Sequence, residues 1–297
     1  MSTITTKPAN APSVVEKGGP TVLARIGKAV IYLLLAIGTV ICLMPFVWLL
    51  RSSLMDTGQI FSYPPEWIPD PFAWSNYSGA LEQAPFGIYF VNTVWLIILI
   101  VPGTLLSTSA AAFAFSHLRW RGRTACFAML MSAMMLPYAA TLVPTFIGWQ
   151  YLGFVDTYVP LALPAWFGAG GAYYIFLLRQ FFGQLPRALD EAVFMDGGSP
   201  WTVYWRLILP LSKGPLTLVA IFTILGTWND LLNPLVYLSD SRSFTLSLGL
   251  ASFRSMYSSQ WGYLMAASLI VILPMMVLFA FAQKQIMGSL SLSGLKG

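Results

Sequence analysis

The sequence predicts an all-α, polytopic membrane protein with six transmembrane helices and both termini on the cytoplasmic side. Three observations carry that reading. Charged residues make up only 9% of the chain against 57% hydrophobic, with a mean hydropathy of +0.71, whereas soluble domains carry about 25% charged residues. Residues 29–50, 83–116, 124–155, 157–178, 214–229 and 255–283 contain no Asp, Glu, Lys, Arg or His. Five of these six runs reach the ~20 apolar residues that one span requires. With the N-terminus inside, thirteen of the sixteen Lys and Arg residues fall on the side of the termini, leaving only Arg51, Arg242 and Arg254 across the bilayer. Basic residues concentrate in cytoplasmic loops because they resist translocation, so the net charge of +5 calls for no nucleic-acid partner.

In chain order, residues 1–24, rich in Thr, Pro, Ala, Ser and Gly, read as a disordered cytoplasmic tail. They do not read as a signal peptide, since the apolar run that follows is too long and no small-residue cleavage site closes it. The membrane domain occupies residues 25–284. Its first span runs from Ala29 to Leu50. An outer segment to Leu81 follows, in which Pro64, Pro65, Pro69 and Pro71 forbid a long helix; its Trp67, Phe72, Trp74 and Tyr77 suit a membrane interface. The second span lies within residues 86–115, and the basic loop at His117–Arg123 leads to a third that Pro137 and Pro144 kink or end. The second and third uncharged runs exceed one span, so each includes loop or a re-entrant piece. Gly168, Gly170 and Gly171 in the fourth span permit close helix contact. The fifth covers residues 214–235, the sixth 263–283, and residues 285–297 form a cytoplasmic tail. Cys42 at mid-span and Cys126 near the inner face differ in depth by roughly 15 Å, beyond the ~7 Å reach of a disulfide.

Residues 186–210, between the fourth and fifth spans, are the exception to this apolar plan. They gather Asp190, Glu191 and Asp196 ahead of Gly197-Gly198-Ser199-Pro200. Pro186 suits a first helical turn, Gly197 a C-terminal stop, and Ser199 an N-cap with Pro200 at the next position. The product is a helix–break–helix elbow on the cytoplasmic side. Anionic lipid repels acids, which favours a protein surface as the partner of Glu191 and Asp196; an amphipathic linker lying on the headgroups is the alternative.

The stretch EAVFMDGGSPWTVYWRLILP resembles the EAA loop of ABC importer permeases, whose pattern is Glu-Ala-Ala, then Asp-Gly-Ala three residues later, then a hydrophobic stretch closing in Leu-Pro. Glu191, Ala192, Asp196, Gly197, Leu209 and Pro210 match, while Val193 and Gly198 stand where the pattern has Ala. YFVNTVWL, TWNDLLNPLVYL and the terminal LSLSGLKG extend the likeness to the carbohydrate, maltose-type branch, from about residue 25 onward. The resemblance implies a bacterial inner-membrane permease subunit for a di- or oligosaccharide. It would pair with a second homologous permease subunit, two ATPase subunits and an extracytoplasmic solute-binding protein. The elbow, with Glu191, Ala192, Asp196, Gly197, Gly198 and Pro210, is then the coupling helix seated in an ATPase groove. ATP and Mg²⁺ would sit on the partners; this chain has no phosphate-binding loop, needs no cofactor or metal and is not itself an enzyme. A permease for glycerol phosphate or a related polyol is the alternative within the family.

Trp228, Asn229, Asp230 and Asn233 are candidates for the translocation path, because an intramembrane acid is a functional candidate by default. Asp230 at the outer interface, bonded to neighbouring backbone, is the competing reading. The chain's one histidine, His117, reads as a solvated neighbour of Arg119. No His-Glu-x-x-His or Gly-x-Ser-x-Gly appears, against an intramembrane protease. A proton-coupled secondary transporter needs a buried titratable relay, for which only Asp230 qualifies.

Overall fold

In a computed structural model of the chain, the described residues are 22–256 and 260–294, without the side chains of residues 22–24, 253–256 and 284–294. Every regular element among them is helical. The chain divides into two units, residues 1–48 and 49–297. In the first, residues 22–48 belong to α1 (Val22–Ser53), a helix that is apolar and exposed along its span-forming length. Of the expected tail at residues 1–24, residues 22–24 belong to α1 and the rest lie outside the described residues.

The second unit begins with the end of α1 and the outer segment. This segment holds only two short helices, α2 (Thr57–Ile60) and α3 (Ser75–Gln83), as its prolines require. Next comes α4 (Phe86–Ser116), a long apolar helix. The run expected to form the third span is broken at Pro137 into α5 (Arg123–Ala133) and α6 (Tyr138–Tyr151), bent by 99°. The fourth is broken into α7 (Val159–Trp166) and α8 (Ala172–Phe182). Gly168 and Gly170 between them take φ of +72° and +75°, backbone that glycine adopts without a Cβ penalty. The elbow contributes α9 (Arg187–Met195), α10 (Pro200–Thr202), a π-helical turn at Val203–Ile208, and α11 (Leu209–Leu211). The segment Pro200–Leu211 meets α12 (Lys213–Asn229) at 77°. The fifth run also breaks: Asp230 turns extended, and α13 (Leu232–Tyr237) follows. The remaining helices are α14 (Leu246–Met256) and α15 (Trp261–Gly294), the latter continuing past the expected end of the sixth span at residue 283. Among the described residues α1, α4 and α15 are uninterrupted and apolar enough to cross a bilayer, and the number rises to five if each bent pair is one span, against the six spans expected.

Within this unit α4 is the central rod, packed against α7, α8, α12 and α14. Its polar side chains serve the packing: Ser107 Oγ donates to Ala165 O at 2.7 Å, and Trp166 Nε1 of α7 donates back to Leu99 O at 3.0 Å. Two cores flank it. At the elbow end, Phe113, Leu178, Phe182, Val203, Tyr204 and Ile208 are buried together. At the opposite end, Ala80, Phe86, Tyr89, Trp228, Leu246 and Ala267 form the second.

Candidate functional site

The elbow's backbone follows from its sequence. Pro186 is the N-cap of α9, one position before the first turn where it was expected. At the other end Gly197 takes φ of +80°. Gly197 N donates to Phe194 O at 3.0 Å and Gly198 N to Val193 O at 2.8 Å, the paired bonds of a Schellman stop. Ser199 then accepts from Thr202 N at 3.3 Å while Ser199 N donates to Thr202 Oγ1 at 3.2 Å, a reciprocal cap with Pro200 in the first turn. The second half is not the plain α-helix expected to reach Pro210. It widens into the π-helical turn, a feature concentrated at functional positions. That turn directs Tyr204 inward, where its hydroxyl meets Ser109 Oγ of α4 at 2.7 Å and its ring packs on Phe113.

Glu191, Ala192, Asp196, Gly197 and Pro210 are exposed, and Gly198 is half-buried. Beside the acids stand exposed Phe194, Met195 and Trp201, so the free face combines carboxylates with large apolar groups. Asp190, one residue before Glu191, does the opposite: it is buried. Its Oδ2 lies 3.6 Å from both His117 Nε2 and Arg187 Nη1. His117 is therefore not a solvated loop residue. Its side chain is 3% exposed, stacked on Phe113 and bonded through Nδ1 to Ser116 Oγ at 2.9 Å. Burial holds its pKa below the ordinary 6.5, against the pull of Asp190 and with the push of Arg187. The sequence pattern gave no sign of this, because a histidine between a helix end and three arginines reads as surface.

The three helix breaks converge on one cavity of about 690 Å³. Leu136 from the first break, Gly168–Gly171 from the second and Asp230 from the third all line it. Irregular backbone at membrane depth is tolerated where protein buries it or where it faces a wet cavity. Seven threonines, three tyrosines, Trp149 and Asn233 supply polar wall, and Asp230 is the one charged side chain among the described lining residues. Asp230 accepts from Asn233 N at 3.1 Å and from Asn233 Nδ2 at 2.8 Å, and Tyr138 donates its hydroxyl to Asn233 Oδ1. Asp230 thus bonds the start of α13 and lines the cavity. Of the four path candidates, Asp230 and Asn233 share this cavity. Trp228 and Asn229 face a different cleft, with Trp228 Nε1 bonded to Val271 O at 3.3 Å and Asn229 Nδ2 to Leu225 O at 2.8 Å. Tyr138, Thr141, Thr145 and Trp149 of α6 and Thr104 and Thr108 of α4 were not singled out from the sequence, since they lie on other helices and nothing local marks them.

Comparison with known proteins supplies the family. Residues 103–286 match the family described as "Binding-protein-dependent transport system inner membrane component". The chain belongs to that family. This permease is 30% identical to the diacetylchitobiose uptake system permease protein NgcG of Streptomyces coelicolor, over 89% of this chain and 87% of the relative. It is 32% identical to the arabinooligosaccharides transport system permease protein AraQ of Halalkalibacterium halodurans, over 73% of this chain and 76% of the relative. Permeases named for sn-glycerol-3-phosphate transport are among its other relatives. In fold, the permease resembles a chain in the crystal structure of a bacterial ABC transporter involved in the import of the acidic polysaccharide alginate. The TM-score is 0.77 at 22% identity, covering 89% of this chain and 98% of that one. The permease is accordingly an inner-membrane component of an ABC importer that depends on a binding protein. It belongs among membrane subunits and not enzymes.

Proposed function

We propose that this permease carries a neutral saccharide through the cavity at the three helix breaks, driven by an ATPase subunit docked on the elbow. The observation that carries the substrate class is the cavity wall: hydroxyls, one amide, one carboxylate, an indole and no lysine, arginine or histidine among its described residues. A sugar presents hydroxyl donors and apolar ring faces. Each Asp230 oxygen retains a lone pair beyond its bond to Asn233, and Trp149 offers a flat face. A glycerol phosphate would instead set its anion against Asp230 with no cation in this half of the path. Two like charges about 4 Å apart at an effective dielectric of about 20 repel by about 4 kcal/mol, which disfavours the phosphate reading.

In this reading Glu191 makes a polar contact in the ATPase groove. Asp196, Ala192 and the Gly197-Gly198 stop shape the docking helix, and Pro210 ends the elbow. The working assembly pairs the chain with a second permease subunit, two ATPase subunits that hold ATP and Mg²⁺, and an external solute-binding protein. The chain crosses six times, counting broken spans, with residues 1–24 and 285–297 on the elbow's cytoplasmic side. ATP-driven approach of the ATPase subunits draws the elbows together, and the spans switch between inward- and outward-open states as rigid bodies.

Two measurements test the proposal. Glu191→Lys in vesicles holding the complete importer should abolish uptake while binding-protein recognition persists; normal uptake would end the docking role. Asp230→Asn should lower saccharide uptake about tenfold, the worth of one charge-assisted hydrogen bond. Uptake of glycerol phosphate in preference to saccharides by the same vesicles would reverse the substrate assignment.

A further inference from the structure

The elbow end of α4 shows how docking reaches the cavity. A helix leaves its last four carbonyls without intrahelical partners, and here each receives a side-chain donor. Trp120 Nε1 donates to Ala114 O at 3.3 Å and Arg179 Nε to Phe115 O at 3.3 Å. Arg187 supplies the other two, Nη2 to Ser116 O at 2.6 Å and Nη1 to His117 O at 3.2 Å. Arg123 Nη1 adds a bond to Leu118 O at 3.1 Å. Three guanidinium groups from α5, α8 and α9 thus converge on the negative end of one helix, where cations are favoured.

These arginines are not equivalent. Arg179 also lies over the Phe127 ring, 3.9 Å from its centre, and so binds α8, α5 and α4 into one body. Arg187 alone belongs to the docking helix. Buried Asp190, one turn along α9, sits beside its guanidinium and beside His117. The planar fork of Arg187 fits two successive carbonyls, a geometry an ammonium cannot copy. About 12 Å further along α4, Thr108 and Thr104 enter the cavity wall, followed by Ile100.

We propose that Arg187, oriented by Asp190, is a positioning residue that clamps the elbow to the end of α4 and makes α4 the lever between docking site and cavity. This rests on the docking reading above. It goes beyond that reading because it assigns the transmission step to exposed Arg187 and buried Asp190, which face the end of α4.

The test needs no knowledge of the solute. In a chain with Cys42 and Cys126 replaced by serine, Ile100→Cys places a thiol on the cavity side of α4. The complete importer in lipid discs is labelled with a methanethiosulfonate reagent, with and without ATP and vanadate. ATP should change the labelling rate in the parent. With Arg187→Gln the ATPase subunit should still co-purify and hydrolyse ATP, but the nucleotide-dependent change should shrink about tenfold, the effect of one charge-assisted bond on a two-state equilibrium. Arg187→Lys should recover part of it, and Asp190→Asn should resemble Arg187→Gln. An intact, hydrolysing Arg187→Gln complex that keeps the parent's response overturns this inference alone. So does loss of response only in step with hydrolysis and thermal midpoint. A parent chain that never binds the ATPase subunit overturns the docking reading and the lever together.

Discussion

Replacing Gly198 with alanine probes the one place where the elbow departs from the family pattern twice. The pattern has Ala at both 193 and 198; this chain has Val193 and Gly198. A Cβ added at Gly198 would stand 2.5 Å from Val193 Cγ1 and 2.8 Å from Val193 O. Carbon–carbon contacts are favourable at about 3.5–4.0 Å, so the methyl overlaps the valine by about an ångström. The two departures are one accommodation: the larger residue at 193 takes the space of the methyl missing at 198. Overpacking of this kind costs about 1–3 kcal/mol. Val193→Ala alone removes two half-buried methyl groups, about 1 kcal/mol at roughly 0.8 kcal/mol per fully buried group. Additive effects would leave the double variant about 2–4 kcal/mol less stable. We expect the double variant to be no worse than Gly198→Ala, a coupling of at least about 1 kcal/mol. Unfolding of the purified chain in detergent, followed by far-ultraviolet circular dichroism, measures the cycle. Gly197→Ala is the control: its φ of +80° costs about 1–2 kcal/mol in any L-residue, and Val193→Ala should not relieve it. Simple additivity at 193 and 198, or equal rescue of Gly197→Ala, would refute the steric account.

His117 gives a pH dependence whose sign follows from its burial. The folded pKa lies below the ordinary 6.5, so between the two values the unfolded chain binds the extra proton and folding weakens as pH falls. Stability should be full above 6.5 and decline below it, and His117→Gln should flatten that decline in a thermal-midpoint titration. Asp156 takes φ of +64°, and its Oδ1 accepts from Ser239 N and Asp240 N at 2.8 and 3.1 Å. Those backbone bonds hold its pKa below the usual 3.8, so the contribution is present above 3.8 and lost as pH falls through the folded value. Asp156→Ala should speed amide exchange at residues 239 and 240, with Asp156→Asn close to native because Asn tolerates that backbone. Gly262→Ala would put a Cβ 2.7 Å from both Met55 O and Asn76 Nδ2. It would disturb the buried bond from Asn76 to Met55 O and lower the thermal midpoint by an amount equivalent to about 1–3 kcal/mol.

How much of this was legible in the sequence depends on the range of the interactions. The elbow was readable because caps are local: Gly197 and Ser199 act on backbone within five residues, and both do what their types predict. The apolar runs were readable as membrane-embedded, but not their breaks, because a continuous span and two half-helices have the same composition. Pro137 marks one break and the glycines near 170 mark another, yet each also fits a kinked single helix. Trp228 and Asp230 were grouped by adjacency, although α12 ends between them at Asn229 and the backbone of Asp230 turns extended. Most carbonyl caps on α4 were invisible: Arg187 reaches Ser116 across 71 positions and Arg179 reaches Phe115 across 64.

The fold's economy lies in how α4 joins two kinds of backbone end. At the elbow, the helix terminus is fully capped by side chains, so its position is set by whatever holds those side chains. At the cavity, the neighbouring helices end in the open, at Leu136, Gly168–Gly171 and Asp230, where polar backbone can meet water or solute. Between the two, α4 runs as one helix from Phe86 to Ser116, with Pro102 inside it lacking one backbone donor. If the lever proposal holds, a rod tied at one end and lining one cavity with the three breaks would shift those breaks relative to one another while staying a single helix. A broken α4 would lose that property. Inserting two glycines after Ser109, between the side-chain-capped end of α4 and the cavity wall, should therefore remove the nucleotide response at Ile100→Cys. The same insertion near Phe86, beyond the cavity, should leave the response in place. Equal effects at the two positions would mean that α4 carries no motion between elbow and cavity.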